Sequence, residues 1–119
     1  MTRLTIGHWG EEMAARHLSR LGWTVRERNL RVGRKEVDLV AEKNDVLAFI
    51  EVKTRTEARY DDALAAIAPR KQRMLQQAAE RWIAANGPLT KPFRFDAIAV
   101  TGRPGQAVRV QHVVNAWGV

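Results

Sequence analysis

Glu51 and Lys53 stand two residues apart in the run Val46-Leu-Ala-Phe-Ile-Glu-Val-Lys-Thr-Arg55. In an extended strand alternate side chains share a face. Leu47, Phe49, Glu51, Lys53 and Arg55 therefore project one way, and Ala48, Ile50, Val52 and Thr54 the other. The second set is plain core. The first begins apolar and turns abruptly charged. Asp38, in Glu36-Val-Asp-Leu-Val-Ala41, is the same kind of intrusion, with Val37, Leu39 and Ala41 on the apolar face. These residue types suit one chemistry. Paired carboxylates are hard oxygen ligands for a divalent cation such as Mg²⁺ or Mn²⁺. A neighbouring ammonium can orient a water and offset negative charge that develops on a phosphate.

Such a site needs elements that bring Asp38 to Glu51. Asn44-Asp45 suits a two-residue hairpin turn, because both residues tolerate positive φ. Lys43 then faces Val46, Asp38 faces Glu51 and Glu36 faces Lys53. Two carboxylates directly across a sheet repel by roughly 0.2–1 kcal/mol even when solvated, and a cation between them removes that repulsion. Glu11 is a third candidate. At 100° per residue it projects beside Ala14, Ala15 and Leu18, within an apolar helical stripe. If that stripe packs on the charged sheet face, Glu11 reaches the same metal; otherwise it is an acidic residue suited to the first turn of a helix.

The remaining pattern supplies the scaffold. Apolar residues recur at helical spacing from about Gly7 to Leu21, and Gly22 follows as a stop. Trp23 to Val32 is β-compatible but rich in arginine, which predicts an edge strand or one with a solvated face. Strands follow at Lys35 to Lys43 and Val46 to Arg55. Arg55 to Tyr60 reads as a loop and Asp61 to Ile67 as a short helical turn. Pro69 fits the first position of a long helix to about Ala85, whose apolar face is Leu75, Ala78, Ala79, Trp82 and Ile83. Asn86-Gly87-Pro88 ends it. Strands at Phe93 to Val100 and Ala107 to Val113 complete the chain, joined by Gly102-Arg103-Pro104-Gly105. The helical crossover predicts that the third and fourth strands are parallel. The expected fold is α/β, a mixed five-stranded sheet flanked by helices, with residues 1–119 forming a single domain.

Charge points to the partner. Twenty Lys and Arg against thirteen Asp and Glu leave +7, and arginines outnumber lysines fifteen to five. Arg is the side chain best suited to bidentate phosphate contact, so the expected partner is a polyanion, DNA first and RNA not excluded. Arg31, Arg34, Lys35, Arg55, Lys71 and Arg73 are the candidate phosphate contacts. Arg70, Lys71 and Arg73 open the long helix, where charges also serve simply as a solvated surface. Trp9, Trp23, Trp82 and Trp117 could stack on bases or fill a core. No run is long enough to span a membrane and no signal peptide is evident, so a cytoplasmic, membrane-free location is expected. With no cysteine, disulfides and thiolate metal sites are excluded. His8, His17 and His112 lack zinc-site spacing, and no glycine-rich nucleotide motif is present.

The motifs together resemble the UPF0102 family of small bacterial proteins, also called the YraN family, over nearly the whole chain. Gly7-x-x-Gly10-Glu11-x-x-Ala14-x-x-x-Leu18 is similar to its first motif. Asn29-x-Arg31 with Glu36-Val-Asp38-Leu-Val-Ala41 is similar to its second, and Phe49-Ile-Glu51-Val-Lys53-x-Arg55 to its third. Lys71 and Arg94-Phe95-Asp96 also fit. One departure is Lys35, where the family usually carries glycine; Gly33 lies two residues earlier. The family is similar to archaeal Holliday-junction resolvases and to restriction-endonuclease-like enzymes with the PD-(D/E)XK motif. That resemblance implies an αβββαβ core, Asp38 and Glu51 as metal ligands, Lys53 beside the attacking water and Glu11 as an accessory acid. It implies a Mg²⁺- or Mn²⁺-dependent endodeoxyribonuclease, with branched DNA among its candidate substrates and a homodimer expected if a symmetric junction is cut. The alternatives are a non-catalytic nucleic-acid-binding protein on the same fold and a protein-interaction module in which the charged cluster is vestigial.

Overall fold

The Thr5 hydroxyl accepts the His8 amide at 3.1 Å and opens helix α1, Ile6–Arg20, an N-cap of the usual kind. The Leu21 amide donates to the Leu18 carbonyl and the Gly22 amide to that of Ser19, closing the helix, and Gly22 turns the chain away with φ at 90°. Three strands follow: β1, Thr24–Val32; β2, Lys35–Lys43; and β3, Val46–Arg55. Helix α2, Pro69–Asn86, starts on its proline, and β4, Phe93–Thr101, and β5, Arg109–Val113, complete the order. The computed structural model describes residues 5–44, 46–56, 68–87 and 89–116. Asp45 of the predicted turn, most of the predicted loop before Tyr60, the predicted short turn at 61–67, Pro88 and Trp117 lie outside the described residues.

The sheet runs β1-β2-β3-β4-β5, with β3 and β4 parallel and every other neighbouring pair antiparallel. This is the expected α/β architecture, an αβββαβ core with β5 added at the edge. The β2–β3 register matches the sequence reading, with Lys43 against Val46 and Leu39 against Ile50. The β1–β2 hairpin closes through Gly33-Arg34 between the paired Val32 and Lys35, and Gly33 supplies φ of 67°. The glycine two residues before the acidic strand thus serves as the turn residue, and Lys35 is left as its first strand position. No described helix is long and apolar enough to cross a membrane.

Each helix covers one face of the sheet. Ala14, Ala15 and Leu18 of α1 pack with Leu39, Ala41, Ala48, Ile50, Val52, Ile98 and Val100. Leu75, Ala78, Ala79 and Trp82 of α2 pack with Val40, Leu47, Phe49 and Phe95. The charged face of β3, which continues Leu47 and Phe49 into Glu51 and Lys53, therefore belongs to α2. The condition under which α1 would have carried Glu11 onto that face does not hold. A second correction concerns Val37. Strand alternation puts it with Leu39 and Ala41, but it joins the α2 cluster instead. The pleat is broken between Val37 and Leu39, at Asp38.

Helix α1 approaches β3 closely enough to need Gly10. A Cβ there would run into the Oγ1, Cβ and Cγ2 atoms of Thr54, whereas one on Gly7 would meet only the Thr5 Oγ1 at 3.9 Å. Gly10→Ala is therefore expected to destabilise the fold by about 1–3 kcal/mol, as overpacking does. Gly7→Ala should be neutral or slightly stabilising, since alanine has the better helix propensity. Urea unfolding of both variants checks this, and equal midpoints would refute the close approach.

Candidate functional site

The β2–β3 ladder ends at Leu39 and Ile50. One step further, where Asp38 would pair with Glu51, the Val52 amide donates instead to Asp38 Oδ2 at 2.8 Å. The side chain of Asp38 thus takes a hydrogen bond that the backbone would otherwise make, and the strands open into a fork. Glu51 sits at that fork only 6% exposed, although it is a carboxylate. Its Oε1 lies 3.6 Å from Lys53 Nζ and 3.9 Å from Lys71 Nζ. Its Oε2 is buried and finds no hydrogen-bond donor.

The electrostatics follow from this geometry. Burial pushes the Glu51 carboxyl up to about 7, the Asp38 charge adds to the rise, and Lys71 and Lys53 only partly oppose it. Asp38 is also raised, by burial first, with the Val52 amide, Glu51 and Lys71 pulling it back. The two carboxyls perturb one another, and burial disfavours the charged form of each. Glu11 is raised too, by burial and then by the Asp38 charge, while a hydrogen bond from the Asn29 side chain lowers it. Glu11 is near enough to feel Asp38, yet among the described residues no three acidic or histidine side chains converge as a ready ligand set.

The chain matches the family model described as "Uncharacterised protein family UPF0102" over residues 10–100. The UPF0102 protein GSU0650 of Geobacter sulfurreducens is 41% identical over 112 residues, covering 94% of this chain and 88% of that protein. A UPF0102 protein of Myxococcus xanthus is 39% identical over 115 residues, covering 97% and 90%. The UPF0102 protein Francci3_3586 of Frankia casuarinae is 38% identical over 112 residues, covering 94% and 95%. The chain belongs to the UPF0102 family.

In this UPF0102 protein the basic candidates divide by position. Lys71, expected as a phosphate contact, reaches the carboxylate pair itself. Arg31 is exposed on β1 across from Glu36; Arg34 is exposed at the hairpin turn, with Lys35 half-buried after it. Arg55 is half-buried at the end of β3, and Arg73 is exposed on α2. Trp9, Trp23 and Trp82 are buried, so these three are packing residues and are not open for stacking on bases.

The Arg94-Phe95-Asp96 motif has a structural explanation in this UPF0102 chain. Asp96 is fully buried and accepts from Arg94 Nε at 2.9 Å, His112 Nε2 at 2.8 Å and the Asn115 amide at 3.0 Å. Burial alone would raise its carboxyl, but these hydrogen bonds outweigh it and hold Asp96 below its ordinary range. Arg94 also lies over the Trp23 ring at 5.5 Å. The network ties β4 to β5 and to the start of β1. The sequence signal was an acidic residue inside the apolar run Phe93-x-Phe95-x-Ala97-Ile98, and neither its spacing nor its type revealed partners so far along the chain.

Proposed function

We propose that this protein is a metal-dependent nuclease that hydrolyses phosphodiester bonds in DNA. The observation that carries the reading is Glu51 Oε2, a buried carboxylate oxygen without a donor, beside Asp38 and two lysines. A buried unpaired oxygen costs about 1–3 kcal/mol or more when charged, and an arrangement serving stability alone would have paired it. The donor set fits Mg²⁺ or Mn²⁺, being hard oxygens only. Asp38 and Glu51 would hold the ion, with Glu11, whose carboxyl feels the Asp38 charge, as a further candidate.

A divalent cation, when bound, supplies a polarised phosphate oxygen and a more acidic water. The chain's own residues do the rest. Lys53 Nζ, fixed beside Glu51, orients the water and offsets charge developing on the phosphate. Lys71 adds a second positive charge from the helix above. Burial of Glu51 keeps its side of these interactions out of bulk water, where they would be weak. Exposed Arg31 and Arg34 on the neighbouring hairpin and Arg73 on α2, with half-buried Lys35 and Arg55, would contact the phosphate backbone.

Titration calorimetry with Mn²⁺ on wild type and Asp38→Ala tests the metal. Wild type should bind and Asp38→Ala should not; equal binding refutes the site. In parallel, DNA binding should weaken with salt, each neutralised phosphate contributing roughly −0.9 to the slope of log affinity against log salt. A non-catalytic nucleic-acid-binding protein is the second reading. It is favoured by the lack of a converged three-ligand set among the described residues. Salt-sensitive DNA binding without Mn²⁺ binding or cleavage would select it.

A further inference from the structure

Among the described strand residues only Asn29 has a left-handed backbone, with φ of 50°. No residue is inserted there. Arg28 pairs with Leu39 and Leu30 with Val37, so Asn29 stands opposite Asp38, yet it is missing from the ladder between them. The conformation reverses the pleat. Arg28 reaches α1 to pair with Glu12, whereas Leu30, which alternation would put on that same side, packs into the α2 cluster with Val37. The side chains of Arg28 and Asn29 consequently both turn to α1, where Asn29 lines one groove with Glu11. Backbone strain of this kind in a non-glycine residue persists only where the surroundings over-determine it, and it clusters at functional sites.

We propose that Asn29 is a positioning residue that holds the Glu11 carboxylate toward Asp38, so that Glu11 can complete the ligand set of the Asp38–Glu51 pair. The inference rests on the metal reading above. It accounts for two things at once: the broken pleat at Asp38, opposite Asn29, and the Asn29-x-Arg31 motif. Asparagine suits the task because it tolerates the left-handed region and carries an amide donor. Glycine would keep the backbone and lose the donor. Aspartate would keep the backbone and oppose Glu11 with a like charge.

The experiment compares wild type, Asn29→Gly, Glu11→Gln, the double variant and Asp38→Ala, each as the full chain. Mn²⁺ affinity is measured by calorimetry well below every unfolding transition, and Tm is measured without metal. Asn29→Gly should leave Tm equal or higher, because glycine relieves the strain. It should lower Mn²⁺ affinity about tenfold, the low end for losing a residue that orients a metal ligand. In the Glu11→Gln background the same change should add no further loss, since Asn29 acts through Glu11. A merely structural Asn29 would lower Tm and leave the affinity unchanged, which overturns the proposal. Additive losses in the double variant overturn the route through Glu11. If wild type binds no better than Asp38→Ala, the metal reading itself fails and this inference fails with it.

Discussion

Lys53→Ala should lower DNA cleavage about 10²–10³-fold, the usual loss when one preorganised electrostatic contact to a reacting centre is removed. Lys53 Nζ is held 3.6 Å from Glu51 Oε1, while its side chain keeps 35% of its surface open, so it faces both the carboxylate pair and solvent. Alanine cannot orient a water or offset charge at a phosphate. The carboxylates survive the change, and Mn²⁺ binding should survive with them. Only one of twenty basic residues is lost, so most nonspecific DNA affinity should remain. Arg109→Ala removes the same charge from an exposed position of β5, which β4 separates from β3, and should cleave nearly as wild type does. Cleavage of branched and linear DNAs with Mn²⁺, measured alongside binding, separates the steps. If wild type cuts none of these substrates, or both variants cut equally well, the protein is not this enzyme and the binding reading takes its place.

The folded state should lose stability as the pH rises from about 4.5 to about 7, and Glu51 should be the main cause. Its ordinary value is 4.5, and burial beside Asp38 raises it to about 7. Below the ordinary value the group is protonated in both states and contributes no pH dependence. Between the two values the native state binds the additional proton, so unfolding becomes easier with every step in pH. Above the folded value the penalty is complete. A rise of this size corresponds to roughly 3 kcal/mol. Glu51→Gln keeps the shape and removes the charge, so its stability should change far less over the same range and exceed that of wild type at pH 8. Saturating Mn²⁺ should restore wild type at pH 8, by about 2.7 kcal/mol at a hundred times its dissociation constant, and should do little for Glu51→Gln. Urea unfolding between pH 4.5 and 8 decides it: parallel profiles for the two proteins would show that Glu51 is not strained by its site.

The amino-acid sequence by itself determined the elements and their partners. Local signals sufficed because each acts over a few residues: the Asn44-Asp45 pair predicted the observed β2–β3 register, Pro69 predicted the start of α2, and the apolar stripes marked Leu18 and Leu75 as core. The same register placed Asp38 at Glu51, and the abrupt change from Phe49 to Glu51 marked the charged end of β3. Strand and helix spacing marked Lys53 and Glu11, charge marked Lys71, and the family motifs include all three. Only the tertiary structure decided which helix covers which face, because an apolar stripe does not say which side of the sheet it will bury. That choice put Lys71 beside Glu51 and left Glu11 on the helix of the opposite face. Periodicity also could not show the broken pleat at Asn29 and Asp38, since a left-handed residue reverses the alternation on which the reading of a strand depends. The partners of Asp96 were equally hidden, because His112 and Asn115 meet it only when β5 pairs with β4. Burial, finally, is a property of the assembled fold: the sequence supplied a glutamate in a strand, and packing made it a carboxylate with one oxygen left unpaired.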